Sequence, residues 1–239
     1  MEILAIVPAR GGSMGLPNKN ILLLDNHPLV AYSVVAGLKA ASINRVICST
    51  DSKKIAKIAN DYGAEVPFLR PPEFAQDYSP DIDVFLHAVS WLMDNENYYP
   101  DLVVQLRPTS PIRYIDDIEN GIRSMLENSD ADSLRGVSNP MTTPYKMWKI
   151  NEEGFLFPIM KIHGVDEPYN MPRQKLPEIW AQNGVLEIIR PNTITKKKSM
   201  TGDKILPFIV KNDFYVDIDN KTSFEVAEKL IKNTNCIKP

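Results

Sequence analysis

The sequence IVPARGGSMGLPNKN, residues 6–20, joins an apolar stretch to a glycine-rich, basic loop. The apolar run that leads into it, residues 1–7, is nearly continuous, which is typical of a strand buried on both faces of a parallel sheet. Open α/β sheets bind their ligands where such strands end. We therefore expect a ligand at the loop that follows this strand.

The loop has the composition of a phosphate-binding site. Gly11, Gly12 and Gly15 allow the backbone to approach an anion closely, and consecutive N–H groups can converge on phosphate oxygens. Arg10 and Lys19 add a positive charge on each side. The loop lacks the Gly-Lys-Ser/Thr ending of a P-loop and the G-x-G-x-x-G spacing of dinucleotide-binding proteins. We interpret it as a triphosphate site, with an ordinary glycine-rich turn as the alternative.

Composition describes an ordinary soluble domain. The chain of 239 residues has 44% hydrophobic residues and a formal charge of -3, enough for one domain with a full core. The mildly acidic balance argues against nucleic acid as a partner, since the basic run at residues 196–198 is short and is expected in a solvated loop. Cys48 and Cys236 match no metal-binding spacing, and no targeting or membrane-spanning stretch is found. We expect a cytoplasmic protein that binds neither nucleic acid nor a membrane.

Apolar runs with strand character alternate with helix-like segments, which predicts a wound α/β sheet. Asp51 or Ser52 is expected to cap the second helix, and Gly63 is expected to end it. We predict further strands at residues 45–51, 65–69, 101–106, 133–137, 184–190 and 204–210, and helices at residues 28–41, 53–62, 81–95, 116–126 and 222–233.

Two proline-containing segments follow predicted strands. In Arg107-Pro108-Thr109-Ser110-Pro111-Ile112-Arg113 the two prolines fix the turn, so its hydroxyls and arginines are expected to be presented rigidly at the strand's end. Residues 70–77 contain two prolines in succession and cannot form regular structure. We expect a surface loop there, with the charged Arg70 at its root.

Residues 140–175 lose the alternation of strands and helices and are rich in proline and aromatic side chains. We interpret them as an inserted, hairpin-like arm of a single domain that spans residues 1–239. Exposed aromatics on such an arm would be costly alone, which favours an arm that covers the second subunit of a homodimer. The alternative is that these aromatics pack on their own sheet. They are Tyr145, Trp148, Phe155 and Tyr169.

Asp217 and Asp219 lie two residues apart, just before the last predicted helix. On an extended backbone both carboxylates project to one side and Ile218 projects to the other. Mg²⁺ needs one or two carboxylates together with water and phosphate oxygens, so the pair is a candidate magnesium site. The alternative for Asp219 is that it caps the helix that follows.

In this order and spacing, the segments resemble the acylneuraminate cytidylyltransferases, enzymes that activate sialic acid and related 2-keto-3-deoxy sugar acids as CMP-sugars. The resemblance covers nearly the whole chain. It implies an α/β fold with a three-layer, Rossmann-like mixed sheet of the nucleotide-diphospho-sugar transferase type and a small protruding dimerisation arm. The matching segments are residues 8–13, 15–20, 49–51, 70–71, 108–111, 172–174, 183–184 and 217–219.

The resemblance also implies a reaction and a role for individual residues. The anomeric hydroxyl of the sugar would attack the α-phosphate of CTP in line and release pyrophosphate, as a step of surface polysaccharide or glycan biosynthesis. Arg10, Lys19, Asp217 and Asp219 would be catalytic, and the two aspartates would hold Mg²⁺. The positions implied to bind the nucleotide are Ala9, Arg10, Gly11, Gly12, Ser13, Lys19, Asn20, Arg70 and Asp81. Those implied to surround the acceptor are Gln105, Arg107, Thr109, Ser110, Arg173, Gln174 and Asn183.

Departures from the family pattern concern charge. Met14 stands where the family usually has lysine, and Arg107 stands where sialate-activating members usually have glutamine. Asp81 stands where the family has a small hydroxyl residue, and residues 181–182 replace an arginine-proline pair. One interpretation is that Arg107 binds an anionic acceptor other than ordinary sialic acid, since a guanidinium binds carboxylate or phosphate bidentately. The other is that Arg107 pairs locally with Asp51 or Asp81.

Two other functions stay open on the sequence. The chain could transfer a nucleotidyl group from CTP or GTP to a sugar 1-phosphate or another phosphorylated acceptor. It could also be a non-catalytic sensor of nucleotide sugars, although a sensor has little need of a metal-binding aspartate pair. No general base is identified: His87 and His163 are candidates by residue type alone, and such histidines are usually structural.

Overall fold

The computed structural model describes residues 1–13, 15–210 and 215–239. Met14, the position of the expected lysine, lies outside the described residues. In these ranges no helix is both long enough and apolar enough to cross a membrane. The helices are α1 (Leu29–Lys39), α2 (Lys53–Asp61), α3 (Asp81–Glu96), α4 (Ile115–Glu127), α5 (Pro191–Thr195) and α6 (Lys221–Asn233). The strands are β1 (Ile3–Pro8), β2 (Leu23–Leu24), β3 (His27–Pro28), β4 (Arg45–Ser49), β5 (Leu102–Gln105), β6 (Ser133–Ser138), β7 (Trp148–Ile150), β8 (Leu156–Pro158), β9 (Ala181–Ile189) and β10 (Ile205–Ile209).

A six-stranded sheet organises the larger of two compact units, which contains residues 1–136 and 183–239. Its strand order is β10-β6-β9-β5-β1-β4. Strand β1 runs parallel to both β4 and β5, whereas β9 runs antiparallel to β5. The predicted mixed α/β sheet is therefore confirmed, and the opening apolar run forms β1, between two parallel neighbours.

Helices cover both faces of this sheet, which gives three layers. The side chains of β1 alternate between two apolar clusters: Ile3, Ala5 and Val7 pack with residues of α1, α2 and α4, while Leu4 and Ile6 pack with residues of α3 and α5. Each of these five side chains is almost fully buried. The continuous apolar pattern of residues 1–7 arises because both faces of the strand are covered.

The predicted strand at residues 65–69 is wrong. The segment makes isolated parallel bridges at its two ends, from Glu65 to Ile47 and from Leu69 to Thr50, and forms no continuous ladder. Pro67 lies between them and has no N–H to donate, which explains the interruption. The cap of α2 is Ser52, whose hydroxyl accepts from the Ile55 N–H.

Residues 137–182 form the second compact unit. Within it β7 and β8 pair as an antiparallel hairpin, and Trp148 packs against Tyr169 with ring centroids 4.4 Å apart. Phe155 is 68% exposed. Tyr145 is buried, so the expectation that it is exposed is wrong. Thr143 is buried as well, and its hydroxyl accepts from the Tyr145 N–H.

Candidate active site

The carboxyl ends of β1, β4 and β5 meet at one edge of the sheet because these strands are parallel. A cavity of about 230 Å³ lies at this edge. Its walls come from the glycine-rich loop, the loop after Arg70, the start of α3 and the turn after β5. The lining residues are Pro8, Arg10, Gly12, Ser13, Lys19, Asn20, Arg70, Phe74, Gln76, Asp77, Ser79, Asp81, Val84, Arg107, Pro108 and Thr109.

Most of the predicted nucleotide-binding residues thus share one cavity with two of the predicted acceptor residues, Arg107 and Thr109. Ala9 does not line the cavity, because its side chain is buried in the core and its N–H donates to Ser49 at 3.0 Å. Gly11 does not line the cavity either, and its N–H donates to the Asp51 carboxylate at 2.9 Å. Parallel strand ends therefore bring together residues that are far apart in the sequence.

The glycine-rich loop is held by its own polar side chains. The Asn20 amide donates to the Arg10 carbonyl at 2.9 Å and is buried. The Arg10 guanidinium forms an ion pair of 2.8 Å with Asp77, in the loop that follows Arg70. Since this pair is partly exposed, an anionic ligand can replace the Asp77 carboxylate at little cost.

The segment with the two aspartates is attached to both the loop and the turn. The Lys19 amine donates to the Ile218 carbonyl at 2.7 Å and lies 3.3 Å from the Asp219 carboxylate. The Ile218 N–H donates to the Thr109 carbonyl at 2.8 Å. Ile218 is buried whereas both aspartates are exposed, which is the predicted alternation.

Asp219 does not cap α6, so that alternative is wrong. The cap is Asn220, whose side chain accepts from the Ser223 N–H while the Ser223 hydroxyl accepts from the Asn220 N–H. Neither aspartate carboxylate is therefore needed to cap the start of the helix. Across the described ranges, no group of three or more His, Cys, Asp or Glu residues is placed to hold a metal ion, so a cation here would rest on this pair and on ligands from outside the chain.

Gly15 lies close to the backbone of the aspartate segment. A Cβ at this position would overlap the Asp219 carbonyl oxygen. We expect Gly15→Ala to push the two segments apart, to cost about 1 to 3 kcal/mol of stability, and to raise the KM for a nucleoside triphosphate. Thermal unfolding and triphosphate titration measure the two effects. Gly12→Ala is the matched control for folding, since a Cβ there meets no atom within 4 Å; equal stability of the two variants would contradict the expectation.

Arg70 is a buried cation at the root of its loop. Its guanidinium donates to the Ser49 hydroxyl at 3.1 Å, to the Ser49 carbonyl, and to the Phe74 carbonyl at 3.4 Å. Burial lowers the pKa of Arg70, while Asp51 acts in the opposite direction. The side chain thus ties the end of β4 to the cavity wall and keeps a desolvated positive charge beside the cavity.

The turn after β5 is fixed by Arg113, which the sequence predicted to be presented at the strand's end. Arg113 is instead fully buried. Its guanidinium donates to the carbonyls of Val185 at 2.7 Å, Arg107 at 2.8 Å and Gly184 at 3.3 Å, and to the Ser33 hydroxyl at 3.1 Å. Burial lowers the pKa of Arg113 to about 9. These hydrogen bonds hold the turn against the start of β9.

Arg107 belongs to a network of two cations and two carboxylates. It pairs with Asp81 through one terminal nitrogen and with Glu187 through Nε at 3.3 Å, while Arg135 holds the second oxygen of Glu187 at 2.8 Å. The Gln105 amide belongs to the same network: oriented with its nitrogen toward Glu187, it donates to that carboxylate at 2.9 Å, and its oxygen accepts from Arg107. Burial opposes the charge of Arg107, but Glu187 and Asp81 outweigh it and raise the pKa of Arg107. Local pairing with Asp81, one of the two interpretations of this arginine, is present.

The other predicted acceptor residues lie in different places. Ser110 and Asn183 are buried, and the Ser110 hydroxyl and the Asn183 amide nitrogen have no hydrogen-bond partner among the described residues. Arg173 and Gln174 belong to the second unit, where the Arg173 guanidinium donates to the Pro140 carbonyl at 2.5 Å. Both help to line a cavity of about 150 Å³ within that unit.

Neither candidate histidine is placed as a general base. His87 packs edge-on against Phe68 at 4.7 Å and near Phe74 at 5.7 Å, and burial lowers the pKa of His87. It lies outside the lining of the cavity described above. His163 is exposed in the second unit.

Three polar residues of the site were missed from the sequence. Glu187 stands alone in the apolar strand β9, and a charge in such a strand indicates a buried ion pair. Arg135 in β6 gives the same signal. Asp77 gives none, because it is one of several polar residues in an irregular loop.

A sequence model of the family described as "Cytidylyltransferase" matches residues 4–164. Over 97% of both chains, the sequence is 31% identical to CMP-N,N'-diacetyllegionaminic acid synthase of Legionella pneumophila. It is 30% identical to pseudaminic acid cytidylyltransferase of Campylobacter jejuni, again over 97% of both chains. It is 29% identical to N-acylneuraminate cytidylyltransferase of Escherichia coli over 98% of this chain and 53% of that one.

Solved structures share the fold. The structure of CMP:2-keto-3-deoxy-manno-octonic acid synthetase in complex with CTP superposes with a TM-score of 0.72 at 15% identity, over 98% of this chain and 99% of that one. The structure of 4-diphosphocytidyl-2C-methyl-D-erythritol synthase from Anaerococcus prevotii gives 0.67 at 9% identity, over 97% and 98% of the two chains. At these identities the similarity concerns the fold alone.

Proposed function

The chain belongs to the cytidylyltransferase family, and from this premise we propose that it activates an acidic, sialic-acid-like sugar with CTP. The anomeric hydroxyl oxygen bonds to the α-phosphorus, the bond from that phosphorus to the leaving oxygen breaks, and pyrophosphate and the hydroxyl proton are released. The observation that carries the proposal is the single cavity that unites Arg10, Lys19 and Arg70 with Arg107 and Thr109. Relatives named for legionaminic, pseudaminic and neuraminic acids support the class of acceptor.

The cationic side of the cavity suits a triphosphate. Arg10 and Lys19 project from the glycine-rich loop, and each is already in contact with a carboxylate that a phosphate oxygen can replace. Catalysis of phosphoryl transfer is mainly positioning and charge stabilisation, so fixed cations at the α- and β-phosphates supply most of what the reaction needs. Arg70 adds a third positive charge to the lining of the cavity.

We place Mg²⁺ at Asp217 and Asp219. The pair fits the ion in donor type and number, because Mg²⁺ binds through one or two carboxylates and takes its remaining ligands from water and phosphate. Both carboxylates are exposed, whereas Ile218, which lies between them in the sequence, is buried. When bound, the ion would neutralise charge on the phosphates. Lys19 would then turn from Asp219 to a phosphate oxygen and leave the carboxylate free for the ion.

We further propose that the protein is a homodimer and that residues 137–182 supply its contacts. This unit carries exposed apolar side chains that are costly in water. They are Trp148, Ile150, Phe155, Leu156, Phe157 and Ile159. Analytical ultracentrifugation tests the proposal, and a monomer at micromolar concentration contradicts it.

A pyrophosphate-release assay tests the function. We expect Mg²⁺-dependent release from CTP with at least one 2-keto-3-deoxy sugar acid, and little release from GTP, ATP or UTP. The acceptors to be compared are N-acetylneuraminic, legionaminic, pseudaminic and 2-keto-3-deoxyoctonic acids, with sugar 1-phosphates as the competing class. Turnover with sugar 1-phosphates alone would overturn the proposal, and nucleotide binding without any turnover would favour a sensor.

A further inference from the structure

We infer that Asp81 is an exchangeable counter-ion of Arg107, which the carboxylate of the acceptor displaces when it binds. The inference rests on the proposed function, because it supposes an anionic acceptor in this cavity. Asp81 and Arg107 both line the cavity and contact each other.

The two carboxylates that hold Arg107 differ in how easily they can leave. The Glu187 side chain is 1% exposed and is shared between Arg107 and Arg135. Removing Arg107 from it would leave part of a buried charge uncompensated, which is costly. The Asp81 side chain is 35% exposed, and among the described residues Arg107 is the one cation in ion-pair contact with it.

The position of Asp81 also stabilises its carboxylate after Arg107 has left it. Asp81 is the first residue of α3, a helix of 16 residues, so its carboxylate lies at the positive end of the helix dipole. It can be hydrated from the cavity when Arg107 turns to another anion. Exchange therefore replaces one partly exposed ion pair by another and leaves the buried Glu187 pairs intact.

This exchange selects the acceptor by charge. A sugar acid brings a carboxylate that competes with Asp81 for the free edge of Arg107, and a bidentate contact favours the sugar acid. A neutral sugar of the same shape has nothing to offer in place of Asp81. Arg107 thus supplies the preference for a negative charge, while Asp81 lowers the affinity only for an acid that must displace it.

The test compares Asp81→Asn, Arg107→Gln and the double variant, with Asp83→Asn as the matched control. Asp83 lies in the same first turn of α3 and does not line this cavity. The probes are N-acetylneuraminic acid and its methyl ester, titrated by calorimetry, with KM values for CTP and the acid measured separately. We expect Asp81→Asn to tighten binding of the acid by roughly three- to tenfold and to leave binding of the ester within about twofold.

Arg107→Gln should weaken binding of the acid by roughly tenfold or more, and Asp81→Asn should then have no further effect, because the two residues act as one unit. The inference is overturned if Asp81→Asn binds the acid no more tightly than the wild type. It is also overturned if the variant tightens binding of the acid and the ester equally, or if neither the wild type nor the variant binds the acid. If the wild type releases pyrophosphate with an acid but Asp81→Asn binds that acid as the wild type does, the inference is overturned and the proposed function stands. Absence of pyrophosphate release with every acid overturns the proposed function itself.

Discussion

Asp217→Asn is expected to lower kcat on the order of a hundredfold or more at saturating CTP and sugar acid. The substitution removes one of two carboxylates proposed to hold Mg²⁺, and loss of one preorganised charge at a phosphoryl-transfer site has effects of this size. Folding should be unaffected, because Asp217 is exposed and the packing of Ile218 does not change. Pyrophosphate release at increasing Mg²⁺ measures the effect, and the Mg²⁺ concentration for half-maximal rate should also rise.

Glu225→Gln is the matched control for this variant. Glu225 is an exposed carboxylate on the adjacent helix α6, and its ion pair with Lys221 is exposed and 3.9 Å long. The control should keep wild-type turnover and Mg²⁺ dependence. If Asp217→Asn turns over at the wild-type rate with the same Mg²⁺ requirement, the aspartate pair is not the metal site.

Arg113→Met is expected to lower the free energy of unfolding by about 3 kcal/mol. The substitution removes the guanidinium donors from the buried carbonyls of Val185 and Gly184, and each lost donor to a buried acceptor costs about 1 to 3 kcal/mol. Burial disfavours the charged form of the Arg113 guanidinium and so lowers its pKa, and the hydrogen bonds offset this cost. Denaturation by urea, followed by circular dichroism, measures the loss.

Turnover should fall in the same variant, because the turn that Arg113 fixes also supplies the Thr109 carbonyl to the Ile218 N–H. Arg113→Lys keeps the charge but loses the forked geometry, so it should recover only part of the stability. Arg123→Met, an exposed position on the next helix, is the matched control and should unfold like the wild type. Equal stability of the Arg113 and Arg123 variants would show that the buried guanidinium does not hold the turn.

Much of the fold could be predicted because it is encoded locally. The apolar run of β1 indicated a strand covered on both faces, and the residues of β4 and β5 gave the same signal. Helix ends followed side-chain chemistry, as at Ser52. The prediction of a strand at residues 65–69 was wrong because one proline outweighed the β-branched and aromatic residues around it.

The candidate site was predictable in its residue types but not in its pairings. The glycine-rich loop, the proline-containing turn and the aspartates all pointed to a nucleotide, and the loop and the turn share the cavity. Whether Arg107 was free for a ligand could not be decided, since its partners Asp81 and Glu187 are 26 and 80 residues away. Nor did the sequence show that Arg113, in a turn expected to be exposed, is the buried residue that fixes that turn.

By itself, the sequence determined the strand and helix periods and the outward direction of Asp217 and Asp219, and it predicted a phosphate site at residues 10–20. These follow from side-chain alternation and local backbone chemistry, which act over a few residues. Only the tertiary structure decided which charges meet: Arg10 with Asp77, and Arg107 with Asp81. Such contacts arise when parallel strands bring their loops to one edge of the sheet, and the free energy of each ion pair depends on that proximity and on burial.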